Sequence, residues 1–209
     1  MMFSLIILYV VGLVYFSITE RYRHYAMLVA MQGVLLFVIA LLRLHEGGIG
    51  ELIFVLTETL LFKAIIIPLM LLRIIRCTKI NRIEAFGRSQ FTSLLLSLLA
   101  LAASISVTYM IADSSVDPVF FGVALYALLS GLILIVMRRR MFSHLVGFLV
   151  IENGVFLFSM AVGAHMPFLI NIAILLDIVM SVLMLGLFLS KIGEGMQVVD
   201  ADTLTKLKD

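Results

Sequence analysis

The sequence predicts an all-α, polytopic membrane protein of about seven transmembrane helices. Three observations predict it. Of 209 residues, 63% are hydrophobic and 13% are charged, and mean hydropathy is +1.21. Soluble domains carry roughly a quarter charged residues, so no water-soluble fold can cover this much apolar surface. The apolar residues gather into stretches of about 20, the length that crosses roughly 30 Å of hydrocarbon. Lys and Arg collect on alternate connections between those stretches, as expected where positive charge is held at one membrane face.

The expected spans are 2–19, 24–44, 51–74, 90–111, 119–137, 142–164 and 167–190. The opening MMFSLIILYVVGLVYFSITERYRHY has no basic n-region and no small-x-small cleavage site. It therefore reads as a first span rather than a cleaved signal. HEGGIGE, residues 45 to 51, is a glycine-rich turn without the flanking strand that a phosphate loop needs. Pro68 falls inside the third span, where it frees the carbonyl of Ala64 and bends the helix. Pro118 and Pro167 sit where helices five and seven should start, a position that proline tolerates.

No Pro/Ser-rich or low-complexity stretch divides the chain, which reads as one membrane domain over 1–209. Within it, 1–89 forms an N-terminal three-helix unit, 90–118 a linking helix, and 119–209 a second three-helix unit with a tail. Offsetting the first half by 119 residues places Arg21 on Arg140 and Glu58 on Asp177, a weak parallel repeat. Glu152 then falls on Gly33, so the first copy lacks that acid.

Thirteen of the 15 basic residues lie after helices one, three, five and seven, among them Arg21, Arg23, Arg138, Arg139, Arg140 and Lys191. Arg43 falls on the other side and Lys63 inside a span. An odd helix count then puts the N-terminus outside and the C-terminus in the cytoplasm.

Four ionisable residues remain within the spans: Glu58 and Lys63 on helix three, Glu152 on helix six and Asp177 on helix seven. Lys63, Glu152 and Asp177 each fall within a residue or two of mid-span. A charge at the bilayer centre costs about 2.5–3.5 kcal/mol, so three at one depth should face each other or an internal wet cavity. Glu58 lies nearer the outer end, about 140° round the helix from Lys63, so the two are not an ideal intrahelical pair. Asn153, Ser159, Ser181 and Thr59 add polar groups: Ser159 shares a face with Glu152, Ser181 with Asp177, and Thr59 lies four before Lys63. A purely structural reading takes these as buried pairs that pin helices together. The functional reading is a proton or cation relay, because burial and pairing push a carboxylate or amine in opposite directions and leave it poised to exchange a proton.

Other chemistries find little here. The single cysteine, Cys77, excludes an internal disulfide and a cysteine metal cluster. A net charge of +2 gives no basis for nucleic-acid binding. His24 and His144 lie at one depth and His45 and His165 at another, more in keeping with interfacial anchors than with haem ligands. Gly147 and Gly154, seven apart, share a face and allow close helix approach. No Ser/His/carboxylate set points to hydrolysis. The chain contains no catalytic centre or metal site that the sequence reveals.

The run RRRMFSHLVGFLVIENGVFLF, followed by NIAILLDIVMSVLMLGLFLSKI, resembles hydrogenase-4 component E, a membrane subunit of formate hydrogenlyase-type and related hydrogenases. The resemblance rests on Glu152, Asn153 and Gly154, on Asp177, and on the basic helix end at Lys191. FKAIIIP, with Lys63 and Pro68, and the tail VDADTLTKLKD resemble the same family. The last three helices, roughly 119 to 190, are also similar to the K subunit of complex I and the C subunit of Mrp-type antiporters. Asp177 matches the second intramembrane acid of the K subunit, with Asp for Glu, while Glu152 lies about one turn beyond the first. Glu58 departs from the family pattern and for that reason ranks below Lys63.

The resemblance implies a non-catalytic subunit of an oxidoreductase complex in the cytoplasmic (inner) membrane. Its implied partners are large antiporter-like subunits, a membrane foot like the H subunit of complex I, and a peripheral redox module. Nickel–iron and iron–sulfur centres are then expected in those partners, and no cofactor in this chain. Glu152, Asp177 and Lys63 are implied to relay protons or Na+. Two other readings are a subunit of an Mrp-type cation/proton antiporter and a passive assembly subunit.

Overall fold

The structure is a computed structural model that describes residues 2–19, 21–43, 59–78, 90–111, 116–138 and 141–162. Every element among the described residues is helical. In chain order these are α1 (Met2–Ile18), α2 (Tyr22–Arg43), a π-helix (Thr59–Ile66) continuous with α3 (Ile67–Thr78), α4 (Gln90–Met110), α5 (Pro118–Met137) and α6 (Met141–Val162). Four of them, α2, α4, α5 and α6, are long and apolar enough to cross a membrane. At 17 residues, α1 reaches about 26 Å at 1.5 Å per residue, slightly short of the hydrocarbon thickness. The architecture is that of a helical membrane protein. The expected seventh span, 167–190, and residues 51–58 of the third lie outside the described residues.

The third span differs from expectation. A regular helix bent at Pro68 was predicted over 51–74, yet Thr59–Ile66 is π-helical and regular α-helix resumes at Ile67. Proline has no N–H to give and its ring crowds the preceding turn. The widened turns immediately before Pro68 are one way a helix accommodates such a break. They also bring backbone unusually close to α2. A Cβ at Gly33 would fall 2.6 Å from the Lys63 carbonyl oxygen, so glycine is required there.

α5 and α6 form the tightest antiparallel pair, joined at Arg138. Small residues let their backbones touch: a Cβ at Gly131 would lie 2.6 Å from the Gly147 carbonyl oxygen, and one at Gly154 3.1 Å from Ala127 Cβ. In hydrocarbon there is no hydrophobic drive between helices, so such close van der Waals packing carries their association. α1 packs on α2, α4 and α5, and α2 packs on α6 as well as on the π-helix and α3. α4 is the most peripheral. Its inward face carries the buried Ser93, Ser97, Ala100 and Ser104, and its outward face Phe91, Leu95, Leu99 and Met110. Ser97 Oγ meets Tyr126 Oη of α5 at 2.8 Å.

Two polar clamps close the ends of the bundle. At one end Pro118 occupies the first turn of α5, as its position in the sequence predicts, and Asp117 caps the helix. Asp117 accepts from the Val119 and Phe120 amides at 3.1 and 3.4 Å, satisfying two donors that a helix start leaves open. Arg43, at the end of α2, donates to the same carboxylate at 2.6 Å and lies 4.5 Å from the centroid of Phe120. At the other end, Arg138 does not behave as the solvated loop charge expected of it. It is buried, donates to the Ser17 carbonyl at 3.5 Å, and faces the hydroxyl of Tyr25. Tyr25 in turn contacts the rings of Phe16 and Tyr22, and Tyr22 that of Phe142, in tilted and edge geometry.

Gly131→Ala forces a methyl group into the backbone of α6, an overpacking that costs about 1–3 kcal/mol. Gly122→Ala should cost less, because its new methyl meets the side chain of Thr108 rather than backbone. Thermal unfolding of the two variants in mild detergent checks the order, Gly131→Ala having the lower midpoint.

Candidate functional site

The centre of the bundle holds a polar cluster from three elements. Lys63 comes from the π-helix, Glu152 and Asn153 from adjacent positions of α6, and Gln32 from α2. All four are buried. The Lys63 ammonium donates to Asn153 Oδ1 at 3.3 Å and stands 3.8 Å from Glu152 Oε1. It also lies 4.7 Å from the centroid of Phe156, one turn along α6. The Asn153 amide donates in turn to Gln32 Oε1 at 3.4 Å.

Local sequence sets this geometry. Gly33 lets α2 touch the backbone at Lys63, which brings the neighbouring Gln32 to the same level. Gly154 seats α6 against Ala127 and Leu128 of α5, leaving Glu152 and Asn153 to meet the elements on the other sides of α6. Phe156 supplies a π face to the ammonium, an attraction of up to about 2 kcal/mol when desolvated.

Among the described residues, the cluster's charges are matched in number and held close, as burial demands. The described contact between them is nevertheless long. Charge-assisted N–H···O bonds usually measure about 2.7–2.9 Å, well short of the Lys63–Glu152 separation. Among the described residues, the ammonium meets an amide, a carboxylate and an aromatic face. A side-chain shift of about an ångström would exchange one partner for another, which is the physical requirement for moving a proton or a charge.

The structure brings Lys63, Glu152 and Asn153 together. Thr59 is buried on the π-helix, four residues before Lys63. Ser159 is buried too, but its hydroxyl donates to the Phe156 carbonyl at 2.7 Å and is committed to its own helix. Glu58, Asp177 and Ser181 lie outside the described residues. Gln32 and Phe156 were not foreseen from the sequence. Gln32 carried a legible signal: it is the sole amide in the span 24–44 and directly precedes Gly33. Among the described residues, no three His, Cys, Asp or Glu side chains cluster as a metal site requires. His144 contacts the Arg138 carbonyl at 2.7 Å through Nε2 and serves the end of the bundle.

No protein-family model matches the chain. It is similar to the uncharacterized protein Rv0085 of Mycobacterium tuberculosis, with 26% identity over 191 residues that cover 87% of this chain and 84% of that protein. No solved structure matches.

Replacing Lys63 by Met takes the ammonium away from a buried carboxylate, and removing one partner of a buried pair typically costs about 3–5 kcal/mol. The double variant Lys63→Met/Glu152→Leu should recover much of that loss. A double-mutant cycle on thermal stability in detergent measures the coupling, expected within about 0.5–3 kcal/mol for groups in contact.

Proposed function

We propose that this chain is an ion-translocating membrane subunit of a complex I-like redox assembly of the hydrogenase-4 or formate hydrogenlyase type. The observation that carries the reading is the buried Lys63–Glu152 pair at the junction of three helical elements. In this reading Glu152 and Lys63 exchange a proton or shift charge as a partner's redox module cycles. Asn153 and Gln32 hold the pair in register, and Asp177, with Glu58 as a weaker member, extends the path. The resemblance described above supplies the rest of the proposal. Large antiporter-like subunits and a foot like the H subunit of complex I flank the chain, and nickel–iron and iron–sulfur centres reside in the peripheral partners. The chain sits in the cytoplasmic membrane with its N-terminus outside and its C-terminus inside, as the Lys and Arg bias favours.

A second reading has its own observation. Lys63, Asn153 and Gln32 form a chain of hydrogen bonds from the π-helix through α6 to α2, which is also how a passive brace would be built. Substitution separates the two. Glu152→Gln keeps the size and much of the hydrogen-bonding capacity of the side chain but removes its charge. A relay loses ion translocation while the complex still assembles; a brace keeps translocation in whatever complex assembles. The measurement is pH-gradient formation in inverted membrane vesicles, normalised to assembled complex, with Ser97→Ala as a variant away from the pair. Mass spectrometry of proteins retained by the tagged chain in mild detergent identifies the assembly. Redox subunits support the proposal, whereas antiporter subunits without metal-cluster proteins point to an Mrp-type complex.

A further inference from the structure

Four arginines at the Arg138 end of the bundle reach the surface. Arg21 stands directly before α2 and Arg23 in its first turn, while Arg73 and Arg76 lie in the second half of α3; all four are exposed. Among the described residues none of the four meets a carboxylate, the ion pairs there belonging to Arg43 and Lys63. The described acids lie elsewhere, Asp117 at the opposite end and Glu152 in the middle. Arg138, buried against Ser17 and Tyr25, adds a fifth positive charge to the same end.

Their level follows from the contact between α2 and the π-helix. Gly33 touches the backbone at Lys63, and α3, as the next span, runs back toward the end where α2 begins. Arg23 lies ten residues before Gly33 and Arg73 ten after Lys63, so each stands about 15 Å from that contact. Arg21 and Arg76 stand a few ångströms farther out. About 15 Å is half of a hydrocarbon core of roughly 30 Å. Guanidinium groups on two helices that pack together therefore reach the depth where hydrocarbon gives way to headgroup phosphates. Toward the bundle centre the same helices turn apolar side chains outward. Met27, one turn inward from Arg23, and Val34 form an exposed stripe on α2; Leu69, one turn inward from Arg73, and Ile65 form another on α3 and the π-helix.

We infer that this surface binds the phosphate of an anionic phospholipid, whose acyl chains lie along the two stripes. The surface matches the lipid in both charge and polarity: cations at phosphate depth, apolar side chains one turn inward. A peripheral protein with an acidic face would meet the arginines and leave the stripes, which lie within the hydrocarbon, untouched. A diffuse basic field draws in any anionic lipid, and lysine serves it as well as arginine does. All four positions here are arginine, whose planar fork grips phosphate oxygens in pairs. The inference concerns the outside of the bundle and is independent of the relay reading; it holds equally for a brace.

Native mass spectrometry of the full chain, released from nanodiscs of equal phosphatidylglycerol and phosphatidylcholine, tests the inference. Phosphatidylglycerol should stay on the unaltered chain several-fold more often than phosphatidylcholine. Arg23→Gln/Arg73→Gln should abolish that preference. Arg23→Lys/Arg73→Lys, which keeps the charge, should weaken it several-fold. Lys206→Gln/Lys208→Gln, the same loss of charge on the C-terminal tail, should leave it intact. No preference in the unaltered chain overturns the proposal. So does an undiminished preference in the lysine variant, or an equal loss in the tail variant, since either shows a diffuse field without a site. If the glutamine variant fails to accumulate, the lysine variant still decides. A photoreactive benzoylphenylalanine in place of Met27, activated in the native membrane, distinguishes lipid from protein. Adducts of phospholipid mass are expected, and capture of a polypeptide instead overturns the proposal.

Discussion

A lysine and a glutamate in the middle of a hydrocarbon-spanning bundle impose the constraint on which the rest of the structure depends. Each would cost about 2.5–3.5 kcal/mol if it met lipid, and neither can be solvated by the bilayer. They must meet each other and be walled off. The neighbouring glycines serve that end. Gly33 admits the backbone at Lys63, where the π-helix that precedes Pro68 carries the ammonium toward α6. Gly131, Gly147 and Gly154 bring α5 against α6, so the face bearing Glu152 and Asn153 stays inside. The large exposed apolar side chains of α1 and α4 then complete an outer surface suited to lipid or to membrane partners.

Part of this arrangement was legible in the sequence, for reasons that can be stated. Lys63 and Glu152 stood out because a charge amid 20 apolar residues has few physical excuses, and span counting alone puts both at one depth. Pro118 marked the start of α5 because the missing N–H costs nothing in a first turn. Gly147 and Gly154 marked a packing face by their seven-residue spacing. What escaped was whatever depended on a partner distant in sequence. Asp117 is an ordinary loop acid until Arg43, 74 residues away, is known to meet it. Arg138 reads as one of three loop arginines, and only the fold shows that it turns inward to Ser17 and Tyr25. The π-helix escaped for a different reason: Pro68 announces a break, but a bend, a skipped hydrogen bond and a widened turn all relieve the same clash. Gln32 was missed although its signal was present, since an amide draws less attention than a charge.

The two ion pairs of the described bundle differ in a way that bears on their roles. Arg43 and Asp117 are partly exposed, yet their contact is 2.6 Å, and the carboxylate also caps α5. One carboxylate oxygen holds the end of α2 and the other caps the start of α5, so a change of charge would undo the clamp. Lys63 and Glu152 are almost wholly buried, where attraction is strongest, yet they stand 3.8 Å apart. A pair selected purely to hold helices together gains most from closing that gap, because the cost of burying the charges is offset only by good geometry. Among the described residues, Asn153 and Phe156 compete for the same ammonium. Competition of this kind weakens a brace and flattens the energy of small displacements, and a group that must pass a proton between neighbours requires the second property even at the expense of the first.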